Sequence, residues 1–159
     1  MERLNLAANQ FGMKTIFDLI ANDWKPWFRK FKWLPGTEQQ TWLPWFSFLR
    51  VLFGLKPTKA DFELFQACTG RSDAPANGFT KAWLCCGRRS GKSRMLAMIS
   101  AYLAVFRDWS PYLSPGEIAT VMVIAADRKQ SRVIFRYTRE FIKPWTSFRL
   151  SARRKRCLN

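Results

Sequence analysis

The chain contains no histidine. Its four cysteines, Cys68, Cys85, Cys86 and Cys157, therefore have no imidazole to complete a ligand set, and a zinc site is not expected. Cys85 and Cys86 are neighbours, so a bond between them would be strained, and a reduced, cytoplasmic chain is the simplest expectation. No secretory leader is legible: Met1-Glu2-Arg3 runs into Leu4-Asn5-Leu6 without an apolar core or a small-residue cleavage site. Long hydrophobic runs are missing too. The longest, Met95 to Phe106, is interrupted by Ser100 and falls short of the roughly 20 residues a bilayer requires, so no membrane partner is expected. No repeat and no low-complexity block is present. Acidic residues are scarce, 11 against 27 Lys and Arg, which leaves a net charge of +16. That excess favours an anionic partner: nucleic acid, nucleotide or an acidic membrane surface.

What is present suffices for a core. The chain has 159 residues, of which 48% are hydrophobic, which excludes a wholly disordered polymer. Residues 1–36 read as a basic, Trp-rich arm. In "DWKPWFRKFKWLPG" cations alternate with Trp24, Trp27, Phe28, Phe31 and Trp33. Such an arm could touch nucleic acid or headgroups. Rings packed on the domain with Lys25, Arg29, Lys30 and Lys32 in water explain the same composition and are preferred. Residues 37–143 read as the main domain, and 144–159, with "ARRKR", as a basic tail expected to be disordered.

Within the main domain, Thr41 to Leu55 predicts an apolar helix ending near Gly54. Thr58 to Asp61 can cap a second helix that stops before Thr69-Gly70, and Arg71 to Gly78 is a loop. Ala82 to Cys86 predicts a short strand, followed by a helix from about Gly91 to Phe106 with apolar residues at three- and four-residue spacing. "LSPGE" is a turn, and the apolar run Thr120 to Ala126 predicts a buried parallel strand. Asp127, with Gln130 three places on, opens a last helix through a capping box. Strand, loop, helix, turn, strand, helix is the expected order. The fold class predicted is α/β: the incomplete start of a P-loop NTPase parallel sheet with flanking helices, preceded by a mainly helical, aromatic-rich segment.

Between the first strand and its helix lies "CCGRRSGKS", Cys85 to Ser93. Its last three residues are those of a phosphate-binding loop, where backbone N–H groups at a helix start converge on phosphate oxygens. Gly87, Ser90 and Gly91 supply loop backbone, Lys92 a charge for the outer phosphates, and Ser93 a hydroxyl for Mg²⁺. The implied ligands are ATP and Mg²⁺. The glycine usual five places ahead of Gly91 is replaced by Cys86, with Gly87 directly after it. Arg88 and Arg89 admit two readings: a guanidinium that reaches the γ-phosphate, or two solvated cations.

With "TWLPWFSFLRVLFGL", "FQACTGR" and "LSPGE…TVMVIAADRKQSRVIFRYTREFI" in the same order around it, this loop is similar to that of the large terminase subunits of tailed bacteriophages and prophages. The resemblance covers about Thr41 to Lys143. It implies the ATPase part of a DNA-packaging motor in the host cytoplasm, whose partners in the full-length family are ATP, double-stranded DNA, the portal and the small terminase subunit. Carried over, Lys92 and Ser93 bind phosphates and Mg²⁺, and Arg88 or Arg89 is the arginine that triggers hydrolysis. Gln66 could read the adenine edge, although a surface amide at a helix end is the preferred reading of that residue.

The family's second carboxylate site, an apolar strand ending in Asp-Glu, has no counterpart, since the chain holds no Asp-Glu pair. Asp127 is explained by capping instead. No nuclease carboxylate cluster is present either. The expectation is a truncated or frameshifted subunit that binds nucleotide without complete turnover or DNA cleavage. Two rivals are a small P-loop kinase, for which a lid and acceptor carboxylates are not seen, and a non-enzymatic cationic nucleic-acid-binding protein with a vestigial loop. The last helix bears on the latter. Arg128, Arg132, Arg136, Arg139 and Lys143 share one of its faces, expected to be solvated or paired within the protein, and Val133, Ile134, Tyr137, Phe141 and Ile142 form the face expected against the sheet.

Overall fold

The structure, a computed structural model, describes residues 15–20 and 42–156, with side chains as far as 143. The Trp-rich stretch from Trp24 to Trp33 lies outside the described residues. The chain divides into two compact units, Met1–Cys85 and Cys86–Asn159.

The first unit is built on α1 (Ile16–Asp18), α2 (Leu43–Leu52) and α3 (Lys59–Thr69). Pro44 in the first turn of α2 has a favourable fixed φ and no N–H to waste. Trp45, Phe46, Leu49 and Val51 are buried, as is Ile16 of α1. The Phe17 and Phe46 rings lie 6.2 Å apart. Asp61 ties α3 to α2. Its carboxylate accepts from the Thr58 N–H at 2.8 Å, which completes a reciprocal capping box, and also accepts the Ser47 hydroxyl of α2. Arg50 Nε lies 3.4 Å from the same carboxylate, while its guanidinium carbon sits 4.4 Å from the Phe17 ring centre. Burial pushes the Asp61 pKa up. The hydrogen bonds from Ser47 and Thr58 and the Arg50 charge outweigh it, so the carboxyl titrates below its ordinary range.

α2 ends at Leu52, close to the expected Gly54, and α3 runs one residue beyond expectation, through Thr69. Gly70 caps α3 in the left-handed conformation at φ 68°. Gly54 and Gly78, at φ 65° and 73°, bring two backbones together where the loop after α3 returns to the end of α2. A Cβ on Gly54 would meet the Ala76 carbonyl and the Gly78 nitrogen, each at 2.5 Å. The Phe79 N–H donates to the Leu52 carbonyl at 2.9 Å beside this crossing.

The second unit is a helix pair. α4 (Lys92–Val105) and α5 (Arg128–Arg156) pack together. Ala97 and Ala101, one turn apart on α4, are fully buried, as are Met95 and Met98 of the same helix and Phe141 of α5. The Thr138 hydroxyl donates to the Ile134 carbonyl at 3.0 Å and lies 3.4 Å from the Ala97 carbonyl across the crossing. After α4 a 3-10 turn at Ser110–Tyr112 is anchored by the Trp109 indole, which donates to the Leu103 carbonyl at 2.7 Å. The "LSPGE" turn forms as expected, with the Glu117 N–H donating to the Ser114 carbonyl and Gly116 at φ 89°. α5 runs past Lys143 and over most of the stretch expected as a tail.

The α/β expectation is corrected. Among the described residues there is no strand, and so no parallel sheet. Ala82 to Cys86 and Thr120 to Ala126 carry no backbone ladder. Nor are they buried: Trp83 is 96% exposed and Ile124 85%. The reason is physical. An apolar run supplies a face for a strand, but the strand exists only through hydrogen bonds to a neighbour, and helices carry those bonds within themselves. Consequently the apolar face of α5 packs on α4 and not on a sheet.

Candidate functional site: the loop from Cys86 to Ser93

The loop precedes α4, whose N-cap is Gly91 at φ 88°. The first amides of a helix have no intrahelical acceptor, so those of Lys92 and Ser93 begin α4 with their donors directed out of its end. The Gly91 carbonyl already accepts from Arg94 and Met95, both at 3.0 Å. Two residues before Gly91, Arg89 has φ 60°, the one positive value off glycine among the described residues. Positive φ at 89 and 91 alternates with ordinary φ at 88 and 90. Left-handed positions of this kind are among the backbone conformations from which anion-binding nests are built.

Lys92 closes the loop. Its ammonium donates to the Cys86 carbonyl at 2.8 Å and to the Gly87 carbonyl at 2.7 Å, spanning the loop from end to start. A lysine has three donors, so one remains for a ligand. Arg88 and Arg89 are exposed and Lys92 and Ser93 half-buried. No carboxylate pairs with the three cations among the described residues, so the loop's positive charge is uncompensated locally. Cys86 turns out to need no glycine, because its φ is not positive. Gly87 is likewise not in the left-handed region, and a Cβ there would meet open space. The demanding backbone position is Arg89, which sequence reasoning had weighed only as a charge.

The structure thus brings Gly87, Arg88, Arg89, Ser90, Gly91, Lys92 and Ser93 into one loop. Gln66 belongs to the first unit, exposed on α3. Asp127 caps α5, but not through the expected box with Gln130: its carboxylate accepts from the Lys129 N–H at 3.0 Å, and its carbonyl accepts from the Gln130 and Ser131 N–H groups. Cys68, Cys85 and Cys86 are free thiols. No group of three His, Cys, Asp or Glu side chains gathers among the described residues. The loop carries two hydroxyls, Ser90 and Ser93, beside the ammonium of Lys92. No helix among the described residues is long and apolar enough to cross a membrane. No family model, no curated protein and no solved structure matches the chain.

Proposed function

We propose that the chain binds ATP through Gly87–Ser93 and is the ATP-binding part of a DNA-packaging terminase large subunit, acting in the host cytoplasm. The observation that carries the nucleotide reading is the loop backbone. Positive φ at Arg89 and Gly91, ahead of a 14-residue helix, falls at the residues whose sequence pattern names a phosphate loop, where anion-binding backbone is required. The terminase assignment rests on the ordered segments around that loop.

In this reading the loop amides hold the phosphates, and the free donor of Lys92 meets the outer ones. Arg88 or Arg89, both exposed, offsets charge at the γ-phosphate. Mg²⁺ bound with the nucleotide would supply further neutralisation of phosphate charge, with Ser93 among its ligands. Complete hydrolysis and DNA cleavage form no part of the proposal, since the chain has no Asp-Glu pair to position water. Titration with Mg-ATP tests the reading. Lys92→Ala should weaken binding by roughly tenfold or more, in line with loss of a charge-assisted contact. Equal binding by both proteins would sink it.

One observation favours a second reading, a cationic nucleic-acid-binding protein. Arg128, Arg132, Arg136 and Arg139 of α5 are exposed. Salt-dependent DNA binding that is indifferent to Lys92→Ala would support it.

A further inference from the structure

The basic face of α5 holds a feature that charge alone does not explain. At about 100° per residue, Arg128, Arg132, Arg136, Arg139 and Lys143 fall within about 80° of one another. They extend over about 22 Å of helix. Among the described residues only Lys143 of this set is in an ion pair, with Glu140, and the four arginines meet no carboxylate there. At the edge of the same arc, about 20° from Arg128, stands Phe135. The residue is 68% exposed, whereas the helix's other apolar residues from Val133 to Ile142 are half-buried or buried. Phe135 is therefore an aromatic ring left in water beside Arg128, Arg132 and Arg139.

We propose that this face binds single-stranded nucleic acid, with Arg128, Arg132, Arg136 and Arg139 on phosphates and Phe135 stacked on an unpaired base. The proposal develops the second reading above and is independent of ATP binding. Cations in a row track a backbone, and an accessible ring offers a stacking platform that a paired duplex, with its bases inside, cannot use. A lipid surface fits less well. A helix lying on a membrane inserts a broad apolar face, and here that face is occupied by α4, with Phe141 only 1% exposed.

The test is fluorescence anisotropy of the full chain with a labelled oligothymidylate, a duplex of equal length and anionic phosphatidylserine vesicles. The unaltered protein should prefer the single strand. Phe135→Ala should weaken single-strand binding roughly tenfold and leave duplex binding unchanged. Arg132→Gln with Arg139→Gln should lower the salt slope by about 1.4, at about 0.7 for each phosphate no longer neutralised. Lys92→Ala should alter neither result. Phe135, Arg132 and Arg139 are exposed, and unchanged helical circular dichroism confirms that each variant, Lys92→Ala included, is folded. If Phe135→Ala binds the single strand as the parent does while the glutamine pair weakens binding to both nucleic acids, the proposal fails and a generic cationic face remains. Binding untouched by all of these changes, or a preference for the vesicles, would overturn it outright.

Discussion

Arg89 is held at φ 60°, a conformation that usually disfavours a side chain by about 1–2 kcal/mol. Such strain persists where surrounding structure enforces it, and it tends to coincide with ligand loops. Arg89→Gly should therefore stabilise the second unit by about 1 kcal/mol in urea unfolding while removing one of the two loop guanidinium groups. If the melt does not move or is destabilised, the left-handed backbone at this position is not a source of strain. Asp61 makes the opposite kind of contribution. Its folded pKa is lowered, so its stabilising effect is full above the unfolded pKa and disappears as pH falls through the folded one. Asp61→Asn should cost about 1 kcal/mol near neutrality and progressively less as the medium is acidified below the ordinary carboxylate range. A stability gap that is the same in acid and at neutrality would contradict this assignment. The Thr58 cap was readable from spacing. Ser47 and Arg50 were not, because their meeting with Asp61 depends on how α2 lies against α3.

Two close approaches govern the elements. In the first unit, Gly54 and Gly78 face each other with no room for a Cβ, and both have positive φ. Gly78→Ala should lower stability by about 1–3 kcal/mol, seen as a fall in the urea midpoint, whereas Gly70→Ala, with open space around it, should have a smaller effect. Similar effects at both positions would mean that backbone conformation, not steric crowding, sets the requirement. In the second unit, Ala97 and Ala101 let α5 approach α4. Ala97→Leu should cost about 1–3 kcal/mol by overpacking, measured by thermal unfolding. The three- and four-residue spacing disclosed both helices, though not that α5 continues to Arg156. It could not disclose that the apolar side of α5 would meet α4. The same side would have served equally well against a sheet.

For the molecule as a whole, charge and exposed apolar surface oppose each other. A net charge of +16 keeps copies apart. Against it, Ile118 is 86% exposed, Met122 76% and Ile124 85%, in an uncharged segment whose backbone joins no ladder. Raising the salt concentration should therefore promote self-association, because it screens the repulsion and leaves the apolar segment unaffected. Ile118→Lys with Ile124→Lys should suppress that response in light scattering without altering the thermal midpoint. Salt-induced association that survives both changes would place the sticky surface elsewhere.

The order of residues by itself determined the helices, their caps, the turns and the phosphate-loop pattern, since each rests on interactions within a few positions along the chain. It also determined the surplus of positive charge. The tertiary structure alone decided that two apolar runs would not become strands, because a ladder needs a second backbone in register. It decided, too, that the unusual loop position is Arg89 rather than Cys86, because φ depends on the path the backbone takes into α4. The exposure of Phe135 among arginines is of the same kind: periodicity places a residue on a face, but only packing decides which face is covered.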